Sequence, residues 1–218
     1  VSSSGCRRLD VPDLSFLVEG AEPIPFSTTP MLGIRLAIQN RPPQEEIRSI
    51  NLQCQIRIEP ARRTYTGEEQ KRLLDLFGEP ERWSRTLHSM LWTQAAVLVP
   101  PFQGVSLVEL PVACTFDLTV ATAKYFNGLE EGSVSLTLLF SGSVFYNTEE
   151  GDLQVVQIPW TQEAAYALPV SVWKRLMDAY YPNTAWLGLR RDVFERLHRY
   201  KTEHGIPTWE ETLESMLP

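Results

Sequence analysis

Apolar and polar residues alternate along the first three-quarters of the chain, a pattern that predicts β-strands with one buried face. The clearest strand lies within Ile47 to Glu59, where every second residue from Ile50 to Ile58 is apolar. A shift by one residue would expose this whole row, so the register is strongly specified. Further strands are predicted over 14–19, 32–39, 90–99, 105–116, 134–146, 153–158 and 164–168.

The helical period of 3.6 residues replaces this alternation in two regions. Thr66 and Glu69 form a capping-box pattern at the start of a helical insertion over 66–88. From residue 169 onward, apolar residues recur at helical spacing and predict three successive amphipathic helices. Between the strands, the segment 120–129 is predicted as a helix rather than a bent strand.

Strands first and helices last indicate an α+β fold. We predict an antiparallel β-sandwich-like sheet core with a short helical insertion and C-terminal helices. Either a second sheet or the C-terminal helices could cover the apolar face of the strands. We expect a flexible tail over 1–13 and a single domain over 14–218, mainly β over 14–168 and helical over 169–218. The pattern specifies neither the strand order nor the oligomeric state.

Composition narrows the class of protein. The chain has 218 residues, of which 43% are hydrophobic and 22% charged, values typical of a soluble globular protein. Its apolar stretches are far shorter than the ~20 residues of a membrane span, so no membrane association is expected. The N-terminal residues lack the apolar core of a secretory signal. Two of the three cysteines, Cys54 and Cys114, lie on apolar strand faces, and we therefore expect a cytoplasmic protein.

The net charge of −7 is unevenly distributed. Residues 101–170 contain eight acidic residues and one basic residue, Lys124, and the other segments are close to neutral. A basic surface that could follow a phosphate backbone is therefore not indicated, and nucleic-acid binding is not expected.

Sequence motifs for catalysis or metal binding are missing. The chain has no CxxC, HExxH, GxGxxG, Walker or GxSxG pattern, and the spacing of His198 and His204 does not suit one tetrahedral ion. We therefore predict no catalytic residue, no metal site and no cofactor. Whether the protein is an enzyme stays open, although the missing motifs argue against it.

Arginine and aromatic residues are concentrated around the helical insertion, and both types anchor protein interfaces. A ligand groove is a second interpretation of this group. A third is that the tryptophans are core residues and the arginines pair with Glu59, Glu79 or Glu81. The candidate interaction surface consists of Arg62, Arg63, Tyr65, Trp83, Arg85 and Trp92.

Five strings of the sequence resemble an uncharacterised bacterial family of about 200 residues, found mainly in actinobacteria. The similar strings are PDLSF at 12–16, CQIRIEPARRTY at 54–65, LFGEPERW at 76–83, LLFSGSVF at 138–145 and PVSVWKRLMDAYYPNTAWLGLRRD at 169–192. The resemblance implies genes near those of nickel–iron hydrogenases, and hence an accessory, assembly or regulatory role. It assigns no catalytic residues.

Two functions are compatible with these observations. The first is an accessory or adaptor protein that binds another protein, with a hydrogenase component as the partner that the resemblance suggests. The alternative is a small-molecule binding protein or enzyme with a pocket between the sheet and the C-terminal helices.

Overall fold

A computed structural model describes residues 11–114, 120–148, 151–184 and 188–217 of the chain. Within these residues it contains nine strands and seven α-helices. The strands are β1 (Asp13–Pro23), β2 (Met31–Arg41), β3 (Glu46–Ile58), β4 (Met90–Val99), β5 (Phe102–Gln103), β6 (Val105–Ala113), β7 (Ser133–Asn147), β8 (Leu153–Gln157) and β9 (Glu163–Pro169). The helices are α1 (Gly67–Arg72), α2 (Leu74–Phe77), α3 (Trp83–Thr86), α4 (Val120–Gly128), α5 (Val170–Tyr180), α6 (Arg191–Glu203) and α7 (Trp209–Glu214).

The strands form two antiparallel sheets, which confirms the predicted α+β fold. One sheet has the order β1-β2-β6. The other has the order β4-β3-β7-β8, with β5 beside β3 and β9 beside β7. The strands β2, β3 and β7 pair in the register that puts their apolar rows inward, as the period of two requires.

A second sheet, rather than a layer of helices, covers the apolar rows. The ring of Phe16 on β1 stacks on the ring of Phe140 on β7, with centroids 4.2 Å apart, so the inner faces of the two sheets meet. Behind this contact, the alternate residues of β3 from Ile50 to Ile58 are completely buried or nearly so. The row that the sequence predicts as buried is therefore the centre of the core.

Helices close one end of the sandwich. The insertion α1–α3 connects β3 to β4, α4 follows β6, and α5 follows β9 directly. These connections share one end because β3 and β9 finish beside the start of β7, where Ile58 pairs with Leu136 and Leu168 with Val134. The rings that fill this end are called the aromatic cap: Tyr65, Phe77, Trp83, Trp92, Tyr125, Phe126 and Trp173.

The chain divides into two compact units at Pro182. Both sheets and α1–α5 belong to the first unit. The second unit contains α6 and α7, where the hydroxyl of Thr208 caps α7 by accepting the Glu211 amide, and the Trp209 ring lies 5.4 Å from that of Phe194. No described helix is long and apolar enough to cross a membrane.

Two predicted element boundaries fall at the edges of the described residues. Most of the predicted tail over 1–13 lies outside the described residues, and β1 already begins at Asp13. The strand predicted over 105–116 ends at Ala113, and residues 115–119 are outside the described part. The single domain over 14–218 stays a prediction.

Gly142 on β7 is the strand residue whose replacement we expect to cost most stability. Its φ of +134° is disfavoured for side chains, and a Cβ there would overlap the carbonyl oxygen of Asn51 on β3. Gly142→Ala should lower the free energy of unfolding by at least about 2 kcal/mol in urea denaturation. Gly67→Ala is the control, because a Cβ at Gly67 meets open space and this variant should be as stable as the parent. Equal stability of all three proteins would contradict the described path of β7.

Candidate functional site

The two tryptophans of the predicted interaction surface are core residues. Trp92 lies on the inner face of β4, is 1% exposed, and contacts the rings of Phe126 and Trp173. Trp83 is 7% exposed, and its indole N–H donates to the Gly78 carbonyl. The prediction that these indoles form a surface is therefore wrong. Both indoles belong to the large aromatic side chains that fill the open end of the sandwich.

Two of the other four residues of that predicted surface, Arg63 and Tyr65, are brought together with Trp83. The Tyr65 ring lies 5.0 Å from that of Trp83, and the Arg63 guanidinium lies 5.6 Å from the Tyr65 ring. The hydroxyl of half-buried Tyr65 donates to the Pro60 carbonyl and lies 2.9 Å from that of Tyr125. Burial raises the pKa of both tyrosines, so both stay neutral. Arg63 is engaged inside the fold, whereas Arg62 and Arg85 are exposed at separate points of the insertion.

Arg63 forms an ion pair with Glu69, which is 1% exposed. The Arg63 guanidinium also donates to the carbonyls of Glu131 and Ser133 at the start of β7. The Glu69 carboxylate in turn accepts the backbone N–H groups of Thr66 and Glu130, at 3.1 and 2.9 Å. The capping box at Thr66 that the sequence predicts is thus confirmed, and its glutamate also joins α1 to the connection before β7.

The environment of Glu69 keeps it ionised. Burial alone would raise the pKa of this carboxyl group. The two backbone N–H groups and the Arg63 guanidinium outweigh burial and lower the pKa below its ordinary value of 4.5. A carboxylate held in this way stabilises the fold and does not act as a proton donor at neutral pH.

A shallow groove of about 360 Å³ lies on the outer face of the six-stranded sheet, near its helical end. It is open along its solvent side. This charged groove is lined by Arg57, Glu59, Arg62, Ser89, Thr137, Leu139, Glu163 and Ala165.

Three neighbouring strands supply the floor of the charged groove. Arg57 on β3 pairs with Thr137 on β7, which pairs with Ala165 on β9. One step further along the same face, Leu139 pairs with Glu163. Arg57 and Glu163 are therefore two strands and two residues apart, a separation of roughly 12 Å between their backbones.

A hydrogen-bond chain fixes one side of the charged groove. The Nε of Arg57 donates to the Ser89 hydroxyl at 2.9 Å, and this hydroxyl donates to Glu59 at 2.8 Å. Ser89 is therefore held by two charged groups. With its Nε engaged, the guanidinium of Arg57 keeps its two terminal nitrogens for another acceptor.

The charges of the groove do not neutralise each other by contact. Within the described residues, Arg57, Glu59, Arg62 and Glu163 take part in no ion pair of 4.0 Å or less. Two positive and two negative groups thus surround a floor of apolar and hydroxyl side chains. A ligand with charges of both signs would complement this arrangement.

Of the groove residues, the sequence predicted Arg62 as part of an interaction surface and named Glu59 as a pairing partner of the arginines. One signal was available. Arg57 alternates with the buried apolar residues of β3, which places its side chain on the solvent-facing side of the strand. The contribution of Glu163 had no sequence signal, since it depends on β9 pairing with β7.

The described residues offer neither a metal-binding cluster nor a reactive thiol. The described residues hold no group of three or more histidine, cysteine or acidic side chains placed to bind a metal ion. Burial raises the pKa of the Cys54 and Cys114 thiols to about 12, so neither is a thiolate at neutral pH.

The pocket expected between the sheet and the C-terminal helices does not form where α5 meets the sheets. Trp173 of α5 stacks on Phe126 at 4.4 Å, and Leu176 is fully buried. Side chains fill this space.

Comparison with known proteins identifies a matching family. A family model described as "Family of unknown function (DUF6084)" matches residues 11–218. No curated protein and no solved structure matches the chain.

The Glu69 ion pair gives a prediction for stability and its pH dependence. Glu69→Ala should lower the free energy of unfolding by about 3–5 kcal/mol, because Arg63, whose side chain is 10% exposed, then loses its counter-charge. Since the folded pKa of Glu69 lies below 4.5, its ionisation stabilises the fold above that pH, and this contribution is lost as the pH falls to the lowered pKa.

Urea denaturation between pH 7 and pH 3 measures the loss of stability and its pH dependence. Glu69→Gln, which removes the charge but keeps the shape, should lose less stability on acidification than the parent. Glu68→Gln is the control. Lys71 and Arg72 lower the pKa of Glu68 as well, but its ion pair with Lys71 lies in solvent and contributes little to stability. Identical pH profiles of the parent and Glu69→Gln would contradict the assignment.

Proposed function

The chain belongs to the DUF6084 family of unknown function, and we propose that it is a non-catalytic accessory protein that binds a segment of another protein in the charged groove. The observation that carries this proposal is the convergence of four unpaired charges, two of each sign, around one stretch of sheet. Segments of proteins commonly carry acidic and basic side chains within a few residues of each other.

The shape of the charged groove favours a protein segment over a small molecule. Small-molecule sites bury 70–90% of their ligand in a concave pocket. This groove is open to solvent, so an extended segment could lie across it, while a compact ligand would stay partly exposed. The Arg57 guanidinium, oriented through Ser89, suits a carboxylate of the partner, and Glu163 on the other side suits a lysine or arginine.

The resemblance of the sequence strings suggests which partner to test first. A bacterial family encoded near nickel–iron hydrogenase genes would act on a hydrogenase component in the cytoplasm. The two buried free thiols, Cys54 and Cys114, are compatible with that compartment.

Binding of purified hydrogenase subunits, measured by biolayer interferometry, tests this function. The double variant Arg57→Gln/Arg62→Gln and the single variant Glu163→Gln should each weaken binding at least about tenfold, the cost of losing one charged contact at an interface. Arg85→Gln is the matched control, because Arg85 is an exposed arginine of the same insertion outside the groove, and its affinity should stay within twofold.

Two results would count against the proposal. Binding that is unchanged in the groove variants would separate the groove from protein recognition. Saturable binding of a free amino acid in calorimetry, lost in the same variants, would instead favour the small-molecule function. Failure of the hydrogenase subunits alone would remove only that partner.

A further inference from the structure

Strand β8 forms an open edge of the six-stranded sheet. It pairs with β7 over 143–147, and no strand pairs with its other side in the part of the chain that the structure describes. Leu153 and Val155 are 61% and 53% exposed, and β8 carries no charged residue. An uncharged edge with free backbone groups is the usual acceptor of an added strand.

An exposed tryptophan follows this edge. Strands β8 and β9 pair one after the other with the same side of β7, and the chain leaves the ladder between them. Two hydrogen bonds close that excursion, from Ile158 N–H to the Gly142 carbonyl and from Phe140 N–H to the Gln162 carbonyl, each 2.9 Å. Trp160 lies in the turn so formed and is 89% exposed. Tryptophan displayed on a fixed turn is a typical interface anchor.

The charges around β8 indicate what kind of segment would pair with it. Asp152 precedes the strand and Glu163 follows the turn, so a carboxylate flanks this uncharged strand on either side along the chain. A second copy of the chain would bring like charges together, which opposes pairing of two β8 strands. A segment with basic residues at its ends would be attracted instead.

We propose that β8 accepts an extended segment of a partner protein, apolar in its middle and basic at its ends, which adds to the sheet as a new edge strand and contacts Trp160. This inference rests on the proposed protein-binding function and adds a second contact region to the charged groove. Backbone hydrogen bonds to β8 would supply the pairing, and Trp160 and the neighbouring carboxylates would select the segment.

Synthetic peptides test the proposal on the full chain. The probe is a short peptide of alternating valine and threonine with lysines at both ends, and its counterpart has glutamates in place of the lysines. Isothermal titration calorimetry should give at least about tenfold tighter binding for the lysine peptide, with the difference shrinking as salt is added. Equal affinities for the two peptides would overturn the charge argument.

Paired variants locate the binding. Val155→Lys should abolish binding of the lysine peptide, because a lysine on the edge both repels it and blocks strand addition, whereas Val155→Thr should bind like the parent. Trp160→Ala should weaken binding at least about fivefold, and Trp160→Phe should keep most of it. Melting temperatures of the four variants show whether each is folded.

Three further outcomes bear on the two proposals. Arg57→Gln/Arg62→Gln should bind the lysine peptide normally, so its loss of hydrogenase binding would concern the groove alone. Unchanged binding by Val155→Lys would overturn the edge proposal and leave the groove proposal intact. A dimer seen by light scattering in the parent and lost in Val155→Lys would assign the edge to a second copy and would also overturn it.

Discussion

The buried carboxylate of Glu69 is the interaction on which the helical end of the sandwich depends. It accepts two backbone N–H groups, one at the start of α1 and one at Glu130, and it pairs with Arg63. Arg63 in turn holds the first residues of β7. Two segments that are distant in sequence, 63–69 and 130–133, thus meet at this ion pair. Each charge contacts the other and backbone groups, which allows the pair to be buried, although the Nε of Arg63 has no hydrogen-bond partner among the described residues.

Strand β7 connects this end to the rest of the molecule. It is the longest strand, and it pairs with β3 on one side and with β8 and β9 on the other. Its inner residues, such as Phe140, complete the core, while Thr137 and Leu139 on the outer face form the floor of the charged groove. The same strand therefore supports the hydrophobic core, the groove and the open edge.

Local rules were sufficient for the strands and for the capping box. The period of two in β3 predicted its buried row, and Thr66 with Glu69 predicted the start of α1, since both signals depend on neighbours in sequence. The position of Trp92 was not predictable in this way. A tryptophan beside arginines has the same composition at an interface and in a core, and only the aromatic cap distinguishes the two. The charged groove likewise requires the strand order β3-β7-β9, which no local pattern contains.

The break between β8 and β9 gives the two strands different attachments. β9 continues directly into α5, whose Val172, Trp173 and Leu176 are buried in the core. β8 is held by a five-residue ladder of its own, and four of its five residues are exposed. Opening of β8 can thus be a local fluctuation that leaves the core intact. We therefore expect its amide hydrogens to exchange faster than those of β3, whose alternate side chains are buried in the core.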